Sequence, residues 1–222
     1  MASIKSGVPL SANHVLRIGS VTRQFAAANL LKLVDEGRAQ RADPLSKYLP
    51  DFPNGSHITL AQLLNHTSGL KSDTGIPGYM NNPVRSDLRT AELFKVFSDL
   101  PVDFAPGAGF AHNNSGYVLV GAVIGAITKQ PWHTQVAAML RALGIQRTTF
   151  DDPNIVIPAM AQGYSSKADG TLARAGLVSM TQPHAAGALV STADDLWQWN
   201  LALHGGRVLA PDRHRRMRTP PK

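Results

Sequence analysis

Ser20 and Arg23 stand three residues apart in the segment RIGSVTRQF, residues 17 to 25. Side chains at this spacing share one face of a helix, so the serine would have a fixed positive charge beside it. The positive end of a helix dipole favours a serine alkoxide or a developing oxyanion, which indicates a nucleophile at Ser20. A serine here could equally cap the helix. Spacing alone favours the cap, because Ser-x-x-basic sequences are frequent.

A second polar pair, His112 and Asn114, lies in PGAGFAHNNSGYVLVG, residues 106 to 121. The two alternate along a short segment before a helix predicted to begin near Ser115, so both could face one cavity. Histidine titrates near neutral pH and could serve as a general base, and Asn114 could donate to a substrate carbonyl. The residues alone favour a plainer interpretation, in which Asn114 caps the helix and His112 is a partly exposed loop residue.

Apolar periodicity and capping residues predict a mainly helical chain around these groups. Residues 25–34 are apolar nearly all round and should form a buried helix that ends at Gly37. A further helix is expected after Thr59, which can form a capping box with Gln62, and Gly69 could close it. Thr90 should cap another helix. A helix is also expected from Ser115, where Gly121 and Gly125 would allow another backbone to approach closely, and two more are expected over 132–144 and 192–206. Strands are predicted at 148–150 and 155–157, and residues 71–89 are expected to form a long surface loop.

The composition is that of an ordinary globular chain of 222 residues, 43% hydrophobic and 17% charged, long enough for one sizeable core. The net charge of +7 is concentrated at the C-terminus, where the last sixteen residues hold six Lys or Arg and one Asp, a balance of +5. Such a basic tail is only a weak indication of nucleic-acid binding, because it contains no aromatic residue on which a base could stack.

Several classes of site and location are disfavoured by the sequence. There is no cysteine, the eight histidines show no paired ligand spacing, and no phosphate-binding glycine loop occurs, so no metal or organic cofactor is expected. The apolar run at 117–127 has eleven residues, too few to cross a bilayer, and no membrane role is expected. The N-terminal MASIKSGVPL lacks a secretory h-region, which predicts a cytoplasmic protein by default.

The order of four motifs resembles the serine hydrolases of the β-lactamase and penicillin-binding-protein superfamily, nearest to class C-type β-lactamases, D-alanyl-D-alanine peptidases and related esterases. The motifs are LRIGSVTRQFAAANLLKLVDEGR, ITLAQLLNHTSGL at 58–70, FAHNNSGYVLVGAVI and AAGALVSTADDLWQW at 185–199. The resemblance implies an α+β, β-lactamase/transpeptidase-like fold over a single domain, residues 1–222, without an organic cofactor. Members of this superfamily are often exported.

Three departures from the family pattern affect the chemistry. Position 23 is a lysine in the family, and an arginine cannot give up its proton to act as the base. His112 stands where the family has a proton-relaying tyrosine, whereas Asn114 keeps the third position of that block. The family's N-terminal strands and its C-terminal strands with Lys-Thr-Gly or His-x-Gly are expected to be missing. The antiparallel sheet should then be incomplete, and self-association or a partner chain that completes it is expected.

Two hypotheses follow. In the first, the protein is a weak acyl-serine hydrolase for esters or amides of the β-lactam or D-alanyl-peptide kind. Ser20 attacks the substrate, and His112 takes the serine proton. Arg23 supports the charge or anchors a carboxylate, and Asn114 holds the substrate. Esters with good leaving groups should react better than β-lactams. In the second, the chain is a catalytically silent relative that binds ligands or partners.

Overall fold

The computed structural model describes residues 1–217 and 219 and is dominated by helices. In chain order these are α1 (Thr22–Asp35), α2 (Leu60–Leu64), α3 (Thr90–Lys95), α4 (Ser115–Thr128), α5 (Trp132–Ala142), α6 (His184–Gly187), α7 (Ala193–His204) and α8 (Pro211–Met217). The strands are β1 (Leu16–Arg17), β2 (Thr149–Phe150), β3 (Tyr164–Ser166), β4 (Leu172–Arg174) and β5 (Leu189–Ser191).

The strands form two small antiparallel sheets. β5 lies between β1 and β2, with Leu16 opposite Ser191 and Thr149 opposite Val190. β3 and β4 form a separate hairpin. The strand predicted at 148–150 is confirmed as β2, whereas the one predicted at 155–157 is wrong. That segment follows a turn in which the Asn154 N–H donates to Asp152 Oδ1 (2.9 Å), and it faces solvent, with Val156 91% exposed.

α1 is the central helix of the core, and its prediction is confirmed. Ten of its fourteen residues are buried, and Phe25 stacks on Trp199 of α7 with ring centroids 4.3 Å apart. The Thr22 hydroxyl accepts a hydrogen bond from the Leu189 N–H (3.2 Å), which fixes the start of the helix against β5. Gly37 follows the C-cap in the left-handed conformation (φ +73°), as expected.

Two of the predicted helix ends need correction. The Thr59–Gln62 capping box is present, but α2 ends at Leu64, and Gly69 does not close it. Gly69 is required for another reason: its φ is +73°, and a Cβ there would lie 1.9 Å from the Phe104 carbonyl oxygen. Thr90 is the first residue of α3 rather than its cap, because the Glu92 carboxylate accepts from the Arg89 N–H (2.8 Å).

α4 packs against α1 and α6 and carries the His112–Asn114 segment at its N-terminal end. Gly121 allows this packing, since a Cβ there would lie 2.6 Å from His184 Cε1 and 2.7 Å from Ala185 Cβ. Gly125 has no such role, because its Cβ would meet only the Gln130 carbonyl at 3.5 Å. The neighbours of Gly121 are thus side chains of α6 rather than another backbone.

No helix in the described part of the chain is long and apolar enough to cross a membrane. The basic C-terminal stretch lies partly outside the described residues. Within them, Arg213 of α8 contacts Asp35 at the end of α1 (2.6 Å), so part of this stretch packs on the domain.

Candidate active site

Ser20 lies in a single 3-10 turn, Gly19–Val21, directly before α1. Its side chain is exposed and makes no hydrogen bond with any of the described residues. The N-cap of α1 is Val21, which makes no side-chain cap bond, so the interpretation of Ser20 as a helix cap is wrong. The serine hydroxyl is therefore available at the positive end of a buried helix.

Arg23 occupies the first turn of α1 and is 9% exposed. Its Nη1 contacts His112 Nε2, and its Nη2 donates to Asn114 Oδ1. The guanidinium carbon also lies 5.3 Å from the centre of the Tyr117 ring, within cation–π range. Burial lowers the pKa of Arg23, and the charges of Tyr117 and Asp73 oppose this shift. A buried cation is thus held mainly by neutral acceptors.

His112 is engaged by Arg23 and makes no hydrogen bond to Ser20. Burial lowers the pKa of His112, and the positive charge of Arg23 lowers it further. Because an arginine N–H can only donate, Nε2 is the acceptor in this contact. The structure brings Arg23, His112 and Asn114 together, as the sequence suggested, but the nitrogen needed to accept a serine proton is occupied.

Ser20 and Asn114 line one cavity of about 220 Å³. Its polar lining also includes Asp73, Tyr79 and Gln182. Its apolar walls are formed by Met80, Val84, Val178, Pro183 and Ala186. This is an apolar pocket with a few convergent polar groups beside a free serine hydroxyl, which is the usual composition of a small-molecule site.

The model of the family described as Beta-lactamase matches residues 1–222. The chain belongs to this family. It is 30% identical over 196 residues to D-alanyl-D-alanine-carboxypeptidase/endopeptidase AmpH of Escherichia coli K12, covering 84% of the chain and 48% of AmpH. The chain thus spans about half the length of that relative.

Solved structures give the same assignment. D-amino acid amidase from Ochrobactrum anthropi SV3, complexed with D-phenylalanine, superposes with a TM-score of 0.85 at 28% identity, covering 96% of this chain and 63% of the amidase. The octameric penicillin-binding protein homologue from Pyrococcus abyssi superposes with a TM-score of 0.82 at 25% identity, covering 98% and 51%. The predicted family and the β-lactamase/transpeptidase-like fold are confirmed.

In this β-lactamase-family chain, the surface loop predicted at 71–89 is confirmed, and its few buried side chains line the cavity. Gln182, 1% exposed, accepts from the Tyr79 hydroxyl and donates to the Pro83 carbonyl (2.6 Å), which fixes the loop against the segment before α6. The Asn114 amide donates to Thr74 (2.6 Å). Tyr79 and Val84 are the buried apolar residues of the loop, and they account for its contact with the cavity.

Asp73 is the acidic residue that lines the cavity, and the sequence did not predict it. It is 3% exposed, and its backbone N–H donates to the Ser115 hydroxyl (2.9 Å) at the start of α4. Burial raises the pKa of Asp73, while the Thr74 N–H and the Arg23 charge act in the opposite direction. Nothing in its local sequence separates it from an ordinary loop aspartate.

His66 packs against two of the residues that contact Arg23, His112 and Tyr117. Its ring lies 5.2 Å from His112 and 5.3 Å from Tyr117, and its Nδ1 accepts from the Asn113 N–H (3.2 Å). Burial lowers the pKa of His66 to about 4, helped by the charges of Arg23 and His112. Within the described residues, no group of three His, Cys, Asp or Glu could hold a metal ion.

Proposed function

We propose that this β-lactamase-family chain is a serine hydrolase that cleaves esters or amides through an acyl-Ser20 intermediate. The observation that carries the proposal is the unpartnered Ser20 hydroxyl at the head of buried α1, on the wall of a small apolar cavity. The helix terminus and the Ser20 N–H would stabilise the oxyanion, and the Arg23 cation one turn away would add to that field.

In the proposed reaction, His112 Nε2 exchanges its contact with Arg23 for the Ser20 hydroxyl and takes the serine proton. Oγ bonds to the substrate carbonyl carbon, the bond to the leaving alcohol or amine breaks, and His112 returns its proton to that leaving group. Water then releases the acid and regenerates Ser20. Arg23 keeps its bond to Asn114 throughout. Because the base must first leave a charged partner, slow turnover is expected.

The cavity chemistry guides the choice of substrates. Asp73 is the one acidic side chain among the residues that line the cavity, and the walls beside it are apolar. An acyl group that carries an ammonium next to an apolar side chain matches this lining, as in the amides of D-amino acids that the name of the Ochrobactrum relative indicates. We therefore expect D-phenylalanine amide and activated esters to react before β-lactams.

The proposal is tested by the intact mass of the protein after exposure to a fluorophosphonate serine probe. One adduct is expected on the wild type and none on Ser20→Ala. Ser11→Ala is the matched control, because Ser11 Oγ lies 2.9 Å from His14 Nδ1 and forms a serine–histidine pair outside the cavity. Ser11→Ala should label like the wild type. Folded wild-type protein that takes up no adduct would refute a reactive Ser20.

The contact between Arg23 and His112 Nε2 favours a second candidate, a ligand-binding protein without turnover. In that case the Ser20→Ala variant should bind an amide or β-lactam as tightly as the wild type, and neither should release product. Isothermal titration calorimetry together with product analysis separates the two candidates, because the hydrolase must lose product formation with Ser20.

We also propose self-association as the state in which the chain works. α7 exposes Trp197 (62%) and Leu201 (51%) one turn apart, and β1 is an edge strand whose Leu16 is 40% exposed. The octameric state in the name of the Pyrococcus relative agrees with this expectation. Light scattering after size exclusion should give a multiple of the 23.8 kDa chain mass, and a monomer at micromolar concentration would contradict it.

A further inference from the structure

Asn29 lies in the middle of α1 with its side-chain amide unpartnered. The residue is 5% exposed, and its Oδ1 is buried without a hydrogen-bond partner among the described residues. Buried polar groups nearly always find a partner, and asparagine is a poor helix former, so this position is unfavourable for folding on two counts. A residue retained at such a cost is a candidate for binding a ligand.

The Asn29 amide lines a second cavity, of about 360 Å³, between α1, α5 and the residues that follow α7. Three cationic residues also line this cavity: Lys32 and Arg38 near the end of α1, and Arg207 after α7. Glu36 is the only acidic residue of the lining, and it pairs with Arg38 at 3.5 Å. Within the described residues, neither the Lys32 ammonium nor the Arg207 guanidinium has an ion-pair partner. The cavity therefore presents uncompensated positive charge.

The remaining walls of this cavity are largely apolar. They include Leu33, Met139, Leu143 and Val208. A ligand that fills the space must combine an anionic group, placed at the Lys32 ammonium and the Arg207 guanidinium, with an apolar body against these side chains. The Asn29 amide would bind the anion through its Nδ2 donor, because Oδ1 can only accept.

We propose that this second cavity is a binding site for a small organic carboxylate that carries an apolar group. It shares no lining residue with the Ser20 cavity. Asn29 follows Arg23 by six residues, about 9 Å along the helix axis. Binding here does not depend on hydrolysis at Ser20, so the Ser20→Ala variant should bind such a carboxylate unchanged.

The test compares phenylacetate with phenylacetamide, a neutral molecule of the same shape, by calorimetry and by the shift in Tm. Phenylacetate should raise Tm in a concentration-dependent way, and phenylacetamide should not. The double variant Lys32→Gln/Arg207→Gln should weaken phenylacetate binding at least tenfold. Lys167→Gln, in the β3–β4 hairpin and outside both cavities, is the matched control and should leave binding unchanged.

Asn29→Leu gives a readout that a purely structural residue would not give. It should raise the Tm of the free protein, because it removes the unpartnered amide, and it should also weaken phenylacetate binding. Equal binding of phenylacetate and phenylacetamide, or binding of neither, would overturn the proposal. Full retention of affinity in the double variant would do so too. Equal protection by inorganic phosphate would refute the apolar part of the ligand.

Discussion

Replacing Arg23 with lysine separates the structural role of this position from its chemical one. The guanidinium contacts His112 through Nη1 and Asn114 through Nη2, and the single nitrogen of a lysine ammonium cannot occupy both positions, so at least one of these contacts should weaken. A hydrogen bond to a charged group contributes about 1.5–3 kcal/mol, so Arg23→Lys should lower the free energy of unfolding by about that amount. Urea unfolding measures this loss.

The same substitution should increase the reactivity of Ser20. A buried lysine can lose its proton and act as a general base, which typically contributes about 10²–10⁴-fold in rate. The rate of labelling by the fluorophosphonate probe should therefore rise by about 10²-fold or more while stability falls. Arg23→Gln is the control, because it keeps a donor but cannot become a base, and it should lose stability without a gain in rate. A folded Arg23→Lys protein that labels no faster than the wild type would refute the view that the availability of a base limits this site.

Three further predictions concern the framework of the site. Gly121→Ala should destabilise the protein by about 1–3 kcal/mol in urea unfolding, because its Cβ would overlap His184 and Ala185. Gly125→Ala in the same helix should stabilise the protein by about 0.5–1 kcal/mol. Similar changes in the two variants would contradict the assigned packing. Asp195→Ala should lower the free energy of unfolding by about 2–4 kcal/mol in the same measurement, because Asp195 Oδ2 accepts from the Arg147 N–H (2.7 Å) and from Thr148 Oγ1 (2.9 Å). An unchanged urea midpoint would argue against this link between α7 and the segment that leads into β2. Burial lowers the pKa of His184 to about 3, below the value of about 6.5 in an unfolded chain, so the unfolded state takes up the proton first as pH falls. The free energy of unfolding should therefore be highest above pH ~6.5 and about 2 kcal/mol lower at pH 5. His184→Asn should reduce this pH dependence, because asparagine tolerates the φ of +45° at this position. An equal slope of unfolding free energy against pH in the variant would exclude His184 as its source.

The sequence predicted best those features that arise from neighbouring residues. The α1 helix and the Thr59–Gln62 capping box depend on contacts within one or two turns, and both are present. Strands of two or three residues are too short to show a period. β5 is also buried at all three positions and shows no alternation.

The parts of the site that escaped prediction depend on contacts distant in sequence. Arg23 and Asn114 are 91 residues apart, and they were connected only through the family resemblance. Asp73 and Gln182 were missed, because a loop aspartate and a glutamine carry no local signal of burial. Their surroundings are set by tertiary packing rather than by propensity.

The contact between Tyr79 and Gln182 has a consequence for how the protein matures. The two residues are 103 positions apart, and they join the two segments that wall the Ser20 cavity. A ribosome releases the chain from its N-terminus, so Ser20, Arg23 and Asn114 leave the exit tunnel long before Gln182 does. Until then the 71–89 segment can contact Asn114 and Ser115 but not Gln182, so this wall of the cavity is incomplete. The Ser20 cavity therefore forms only after the segment around Gln182 has left the tunnel, when α1 to α5 are already available to fold.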